Sequence, residues 1–432
     1  MAQFTQHIRH LMKSGNLFGG GSLIIRTVVL SFAMLTVLAC ADPPPLVPPT
    51  PLSSVDRTIK PVAQWRKSVG EKDKRRSGRF RPYIDQSGVF AASVDGIVAA
   101  YESDGGKRLW RRDLETRLGS GVGGDQQRVY VASRDGVVMA LDKTSGETVW
   151  TYVMPSAVLV RPVASADDAS QDSNLVVVRA SNGNVRGLDG KSGKELWSTN
   201  FDTPALTVHG YGEPVVLNSG VLVGLEDGKL VALSRNNGSL LWQSVVSFPS
   251  GGSEIERLVD LDANILVDDA FIYVVTYQGR LARVEPRRGT VVWSVPMSSV
   301  SGMAQDDSNL YLTLDDSTVV GVSKEGGEEL WRLDALRGRS LTRPGLVRAN
   351  VLAVVDFEGF MHVIDAQEGT IVGRSQPLLS APHSPALVVA DTRQGEVVSD
   401  SGNASDGLAS AASARIFLQS VGSELVALRL SN

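Results

Sequence analysis

The chain has 432 residues and a formal net charge of −4, with 43 glycines and 6% aromatic residues. That length would hold two or three ordinary domains, and the glycine supply suits turn-dense β-structure. The first 39 residues carry Arg9, Lys13 and Arg26 and no acid, leaving about −7 for the rest, a balance that argues against nucleic acid as a partner.

Residues 1–39 read as a signal peptide. Arg26 precedes the apolar run Thr27 to Ala39, whose 13 residues fall short of the roughly 20 that a spanning helix needs. A start at Met12 would also leave a working signal. The run ends Val37-Leu38-Ala39-Cys40, which resembles the bacterial lipobox, where cleavage precedes a cysteine that then carries lipid. Cys40 is the only cysteine of the chain. Several acyl chains on one residue would hold a protein stably on a membrane, where a single chain would not. Ala41 rather than aspartate follows the cysteine, which favours delivery to the outer membrane, facing the periplasm. Residues 40–58 then form a proline-rich tether, expected to be extended. The basic cluster Lys72 to Arg81 reads as a solvated loop.

From Trp65 onward one unit repeats. In VYVASRDGVVMALDKTSGETVW, ending at Trp150, a β-branched run leads into an Asp-Gly hairpin, a return strand, a Ser-Gly turn and a tryptophan strand. The same grammar ends at Trp110, Trp197, Trp242, Trp293 and Trp331, with successive spacings of 40, 47, 45, 51 and 38 residues. That is the period of a β-propeller blade. A degenerate copy puts Gly373 where the tryptophan belongs, which predicts a blade packed differently. Trp65 has a tryptophan strand without strands before it, while 416–420 and 425–430 are strands without a tryptophan strand after them. Joining the two ends predicts an all-β, eight-bladed β-propeller of four-stranded antiparallel blades over 59–432, closed by pairing of its terminal strands. All seven tryptophans are then structural. The Ser-, Ala-, Gly- and Asp-rich segment 391–414 reads as a disordered insertion in the last blade.

The crossings between blades differ in length. From Trp150 to Pro162 the chain takes 12 residues and from Trp331 to Pro344 it takes 13, but from Trp197 to Pro214 it takes 17 and from Trp242 to about Ile265 it takes 23. The two long crossings are successive, and long neighbouring loops on a rigid scaffold are where binding usually sits. The first holds Leu206, Val208, His209 and Tyr211. The second holds a possible helical turn followed by Asp260 and Asp262. Either these groups face a partner, or Leu206, Val208 and Leu258 fold back over the ring while the aspartates cap strands; the residues alone leave both open.

A lipobox, a proline-rich tether and repeats of the form D-G-x-x-x-A-L-D-x-x-[ST]-G-x-x-x-W together resemble the BamB family, lipoproteins of the bacterial machinery that assembles outer-membrane β-barrels. Gly252 to Asp262, GSEIERLVDLD, carries the resemblance most specifically. It implies that the two crossings bind the POTRA domains of the insertase BamA, that other lipoproteins of the complex and unfolded outer-membrane proteins are further partners, and that a substrate strand could add to an exposed blade edge. It places the family's apolar pair on Leu206 and Val208 and its acidic pair on Asp260 and Asp262. Where the family has arginine this chain has His209, which loses the guanidinium fork.

Two other readings compete. Quinoprotein dehydrogenases share the repeat, but their kind of site requires a quinone, a calcium ion, a catalytic aspartate and a pair of adjacent cysteines, and no cysteine follows Cys40. Beyond the signal only His209, His362 and His383 remain, too scattered for a triad or a His-based metal site. The expectation is therefore no enzyme, no cofactor and no metal. A propeller that binds some other envelope component is the third reading, and fold alone does not choose.

Overall fold

Each repeat places two continuous apolar strands between two more polar ones, as an element buried on both faces requires. Gly88–Ala92, Ile97–Tyr101, Leu175–Arg179 and Gly220–Gly224 are buried along their whole length. The fourth strands Arg108–Asp113, Thr148–Val153 and Glu195–Asn200 bury fully only their tryptophan. Blades stack face to face, so middle strands have neighbours on both sides while outer strands meet water.

The computed structural model describes residues 48–55, 58–72, 80–165, 174–204, 206–207, 212–382, 387–389 and 415–431. The signal peptide 1–39, Cys40, the segment 391–414 and the side chains of Val208, His209 and His383 lie outside them. From Pro49 onward the chain forms one unit of eight four-stranded antiparallel sheets. Seven are consecutive in the chain and are numbered as blades 1 to 7: 83–113, 123–153, 163–200, 215–245, 266–296, 302–333 and 345–375. Blade 8 joins Leu387–Val389, Arg415–Gln419 and Glu424–Ser431 to the N-terminal strand Lys60–Ser68, with Lys60 opposite Ser431 and Ser68 opposite Glu424. The ring is thus eight-bladed and closed by its two ends, as predicted.

The tryptophans tie each blade to the next. The indole Nε1 of Trp65, Trp110, Trp150, Trp197, Trp242, Trp293 and Trp331 donates to a carbonyl in the following blade's last turn, at 2.8–3.1 Å. Each ring also lies under that turn's glycine. A Cβ on Gly146, which has φ of +73°, would sit 2.6 Å from the Trp110 ring, so backbone conformation and close approach both require glycine there. The residue before each tryptophan is the extra residue of a β-bulge: Trp110 pairs with Ala100 and Arg108 with Tyr101, which leaves Leu109 unpaired. Val149, Leu196, Leu241, Val292 and Leu330 are skipped in the same way and stand exposed like Leu109. The bulge turns the tryptophan into the seam and its neighbour into solvent.

Blade 7 departs from this pattern at Gly373. A tryptophan there would have to reach a turn between the third and fourth strands of blade 8, but those strands are Glu424–Ser431 and Lys60–Ser68, from opposite ends of the chain. No turn joins them. The N-terminal segment fills the seam instead. The amides of Thr58 and Ile59 donate to the carbonyl of Val372 at 3.1 Å, and a Cβ on Gly373 would fall 2.1 Å from the Ile59 oxygen. Upstream, the Thr50 amide donates to the Arg337 carbonyl at 2.9 Å, Arg339 Nη1 to the Thr50 carbonyl at 3.2 Å and Arg374 Nη1 to the Ser53 carbonyl at 2.6 Å. The later part of the proline-rich stretch is therefore fastened to blade 7 and does not act as free tether. One further expectation changes: Arg81, the last residue of the basic cluster, is not on a solvated loop but turns into the ring, beside the fully buried Phe80.

Candidate functional site

The two long crossings run from Asn200 to Val215 and from Val245 to Leu266. The second is laid back over the hairpin of blade 4. Val246 and Ser247 donate to the carbonyl of Gly228 at 3.0 and 3.2 Å, and Leu261 donates to Leu225 at 3.1 Å. Val259 and Leu261 are buried, and Leu261 joins the core shared by blades 4 and 5. The residues between and after them are not turned outward: Asp260 and Asp262 are buried as well, at 0% and 6% exposure. The main chain of Asp260 supports blade 5, its carbonyl accepting from Tyr277 N at 2.9 Å.

Neither alternative left by the sequence holds whole. Leu206 does not fold back and is 45% exposed, whereas the acidic pair faces inward. Val208 and His209 lie outside the described residues.

Where the first crossing ends it meets the second. A Cβ on Gly212 would stand 3.0 Å from the Leu261 oxygen and 3.5 Å from the Asp262 Cα. Arg179, buried at the end of a middle strand in blade 3, fixes this junction: its Nη1 donates to the Gly212 carbonyl at 3.4 Å and its Nη2 pairs with Glu226. Sequence reasoning missed Arg179. An arginine closing the run Leu-Val-Val-Val is the one signal that marked it, since a cation at the end of a buried strand needs a partner.

Between the two fastened ends, 248–256 projects outward on a single turn. The Ser253 Oγ accepts from Glu256 N at 3.3 Å while Glu256 Oε2 accepts from Ser253 N at 3.1 Å, a reciprocal capping box. Glu256 Oε2 also accepts from Gly252 N at 2.8 Å. These two amides hold the Glu256 carboxyl below its ordinary range. The turn presents Ile255 at 65% exposure, with Phe248 at 75% at its base. Large apolar groups this exposed, on loops with ordered supports, are what an interface core uses.

Among the described residues no group of three or more His, Cys, Asp or Glu side chains is placed to hold a metal ion, and no helix is long and apolar enough to cross a membrane. His362 makes ordinary structural contacts: Arg374 Nε donates to its Nδ1 at 3.0 Å, so its own proton is on Nε2, 3.1 Å from Asp356 Oδ2.

The geometry has known counterparts. A family model described as outer membrane protein assembly factor BamB matches residues 94–333. The chain is 36% identical over 356 residues to the BamB of Vibrio cholerae, covering 81% of this chain and 90% of that one. It is 30% identical over 375 residues to the BamB of Shewanella oneidensis, covering 84% and 93%. The crystal structure of BamB from Moraxella catarrhalis superposes with a TM-score of 0.70 at 25% identity, covering 84% of this chain and 100% of that one. A europium-containing methanol dehydrogenase superposes with a TM-score of 0.65 at 11% identity over 85% and 93% of the two chains, a likeness of fold alone.

Proposed function

The chain belongs to the BamB family of outer membrane protein assembly factors, and from that premise we propose how it works. It is an assembly scaffold, not an enzyme, held at the periplasmic face of the outer membrane through lipid on Cys40 after removal of residues 1–39. Its two long crossings bind the POTRA domains of the insertase BamA, and this docking lets the ring bring unfolded barrel proteins to the insertase beside the other lipoproteins of the complex. The observation that carries the reading is the exposure of Leu206, Phe248 and Ile255 on two crossings whose ends are fastened to the ring. Leu206 is the direct contact, with Val208 and His209 as further partner-binding residues. Asp260 and Asp262 act from below, by setting the path of the second crossing. Strand addition by substrates would use the outer edges of the fourth strands, other than that of blade 7, where Val372 already accepts from Thr58 and Ile59.

The test is binding of the chain from Ala41 onward to purified POTRA domains from the same organism. Leu206→Arg should weaken binding by at least about 2 kcal/mol, the scale of a central interface residue, and Ile255→Arg should weaken it less, both with unchanged circular dichroism. A folded Leu206→Arg variant that binds like the wild type would sink the assignment of this surface. Failure of the wild type to bind would sink the docking role.

A further inference from the structure

The fourth strand of each blade has a hydrogen-bonded neighbour on one side only. Such an edge offers a row of amides and carbonyls to any extended chain, and proteins commonly blunt it with charge or proline. Six of the eight edges are protected. In blades 1, 6 and 8 the residue after the tryptophan is an exposed arginine: Arg111, Arg332 and Arg66. Blade 3 opens its fourth strand on Glu195, and blade 5 ends its own on Pro296, with Arg280 Nη2 donating to the Ser294 carbonyl at 2.6 Å. Blade 7 is covered by the chain itself, through the bonds of Thr58 and Ile59 to Val372.

Blades 2 and 4 are the exceptions. Thr148–Val153 and Leu240–Val245 contain neither a charged residue nor a proline. Where blades 1, 6 and 8 carry arginine they have Thr151 and Gln243, both exposed. Each also exposes two large apolar side chains, Val149 with Val153 and Leu240 with Leu241, whereas no other fourth strand exposes more than one. Among the described residues no backbone group from outside the blade bonds to either strand. Missing protection and added apolar surface thus fall on the same two edges. Blade 7 shows how such an edge is occupied: two successive amides of a separate segment donate to the carbonyl of its bulged residue, Val372. The bulged residues of blades 2 and 4 are Val149 and Leu241. The strand of blade 4 also leads, through Val245, into the second long crossing and its exposed Phe248, so this edge is continuous with the docking surface.

We propose that the fourth strands of blades 2 and 4 are the edges on which the ring takes up a strand of an unfolded barrel protein, an uncharged extended segment in which apolar and polar residues alternate. This rests on the reading that the ring handles such proteins. A membrane β-strand alternates in this way over about ten residues. Main-chain hydrogen bonds to the open edge accept many sequences, while every second side chain covers Val149 and Val153, or Leu240 and Leu241. A charge on the segment finds no opposite charge on either strand.

Fluorescence anisotropy of the chain from Ala41 onward, with a labelled ten-residue peptide in which valine alternates with serine, tests it. The wild type should bind saturably. Thr151→Arg with Gln243→Arg copies the arginine of blades 1, 6 and 8 onto both bare edges and should weaken binding about fivefold or more, the worth of one cross-strand pair. Ser198→Arg, at the same position of blade 3, should bind like the wild type. No saturable binding by the wild type overturns the proposal, and so does wild-type affinity in the folded double variant or an equal loss in Ser198→Arg. Should the double variant fail to fold, amide hydrogen exchange of the wild type decides: the peptide should slow exchange within 148–153 and 240–245 and not within 195–200, and unchanged exchange in the first two overturns the proposal. A wild type that binds the POTRA domains but not the peptide overturns this proposal alone and leaves the docking role standing.

Discussion

Seven seams between blades are closed by a tryptophan, and the seam between blades 7 and 8 is closed by the chain's own N-terminal segment. At the seven, the bulged residue before the tryptophan is turned away from the seam; Leu109, Val149 and Leu196 are 47–51% exposed. At the eighth, the bulged residue is Val372. Its carbonyl receives Thr58 and Ile59, and its side chain packs beside Ile59 on the core between blades 7 and 8. Side-chain sizes invert accordingly. Trp197 and Trp331 stand opposite Gly187 and Gly321, whereas Gly373 stands opposite Val363. The difference teaches that the tryptophan is specified by the turn it reaches. Where closure of the ring removes that turn, a tryptophan has no acceptor, and a distant stretch of backbone supplies both the hydrogen bonds and the apolar contact.

The comparison breaks most visibly at an ordinary seam. Trp150→Ala removes a ring that is buried against Tyr130 and Gly193 and bonded to the Gly190 carbonyl. It should cost about 3–5 kcal/mol, read as a lower midpoint in urea unfolding. Equal stability of wild type and variant would mean that the tryptophans do not hold the seams. At the eighth seam, Gly373→Ala places a methyl group against the Ile59 carbonyl and should cost about 1–3 kcal/mol by overpacking. Faster limited proteolysis within 49–59 should accompany it; unchanged cleavage would mean that the segment is not what fills the seam.

The smallest effect is one of pH. Burial pushes the His362 imidazole below its ordinary range, with the Asp356 carboxylate opposing and Arg374 and Arg339 adding to the shift. Burial alone would raise Asp356, but the hydrogen bonds from His362 and Arg339 leave it lowered and charged. Protonation of Nδ1 would set a proton against Arg374 Nε, the same guanidinium that fastens Ser53. With a folded pKa below the unfolded value of about 6.5, the unfolded chain takes up a proton first, so stability present above pH 6.5 is lost as the pH falls below it. Thermal midpoints taken between about pH 7.5 and 5 should fall for the wild type and fall less for His362→Gln. Parallel curves for the two proteins would remove His362 from the seam's account.

Much of this was open to reading in advance. Blade number, terminal closure and the tryptophan positions follow from a hydrophobic pattern that repeats over short range, and Gly373 announced itself as an exception. What filled its place did not, because Ile59 comes from the other end of the chain. The candidate site divides similarly. Two unusually long crossings were visible in spacing, but the exposure of Leu206 and the burial of Asp260 and Asp262 were not, since the residues alone left both orientations open and the second crossing buries its acidic and its apolar side chains alike. Phe248, Ile255 and Arg179 were passed over because exposure at a loop and pairing at a strand end depend on neighbours that no spacing records.

Local regularities of this chain, its turns, its strand alternation and its period of one blade, are short-range consequences of side-chain size and backbone freedom, and they are enough to dictate a closed eight-bladed ring. Which residues meet across that ring is another matter. Arg81 and Arg161 both pair with Glu213, at 3.1 and 2.9 Å, although they come from different blades, and they meet only because closure bends their strands around one axis; the eighth seam likewise exists only once the two ends have paired. Contacts between distant segments are set by the geometry of the closed ring, and only the folded molecule contains it.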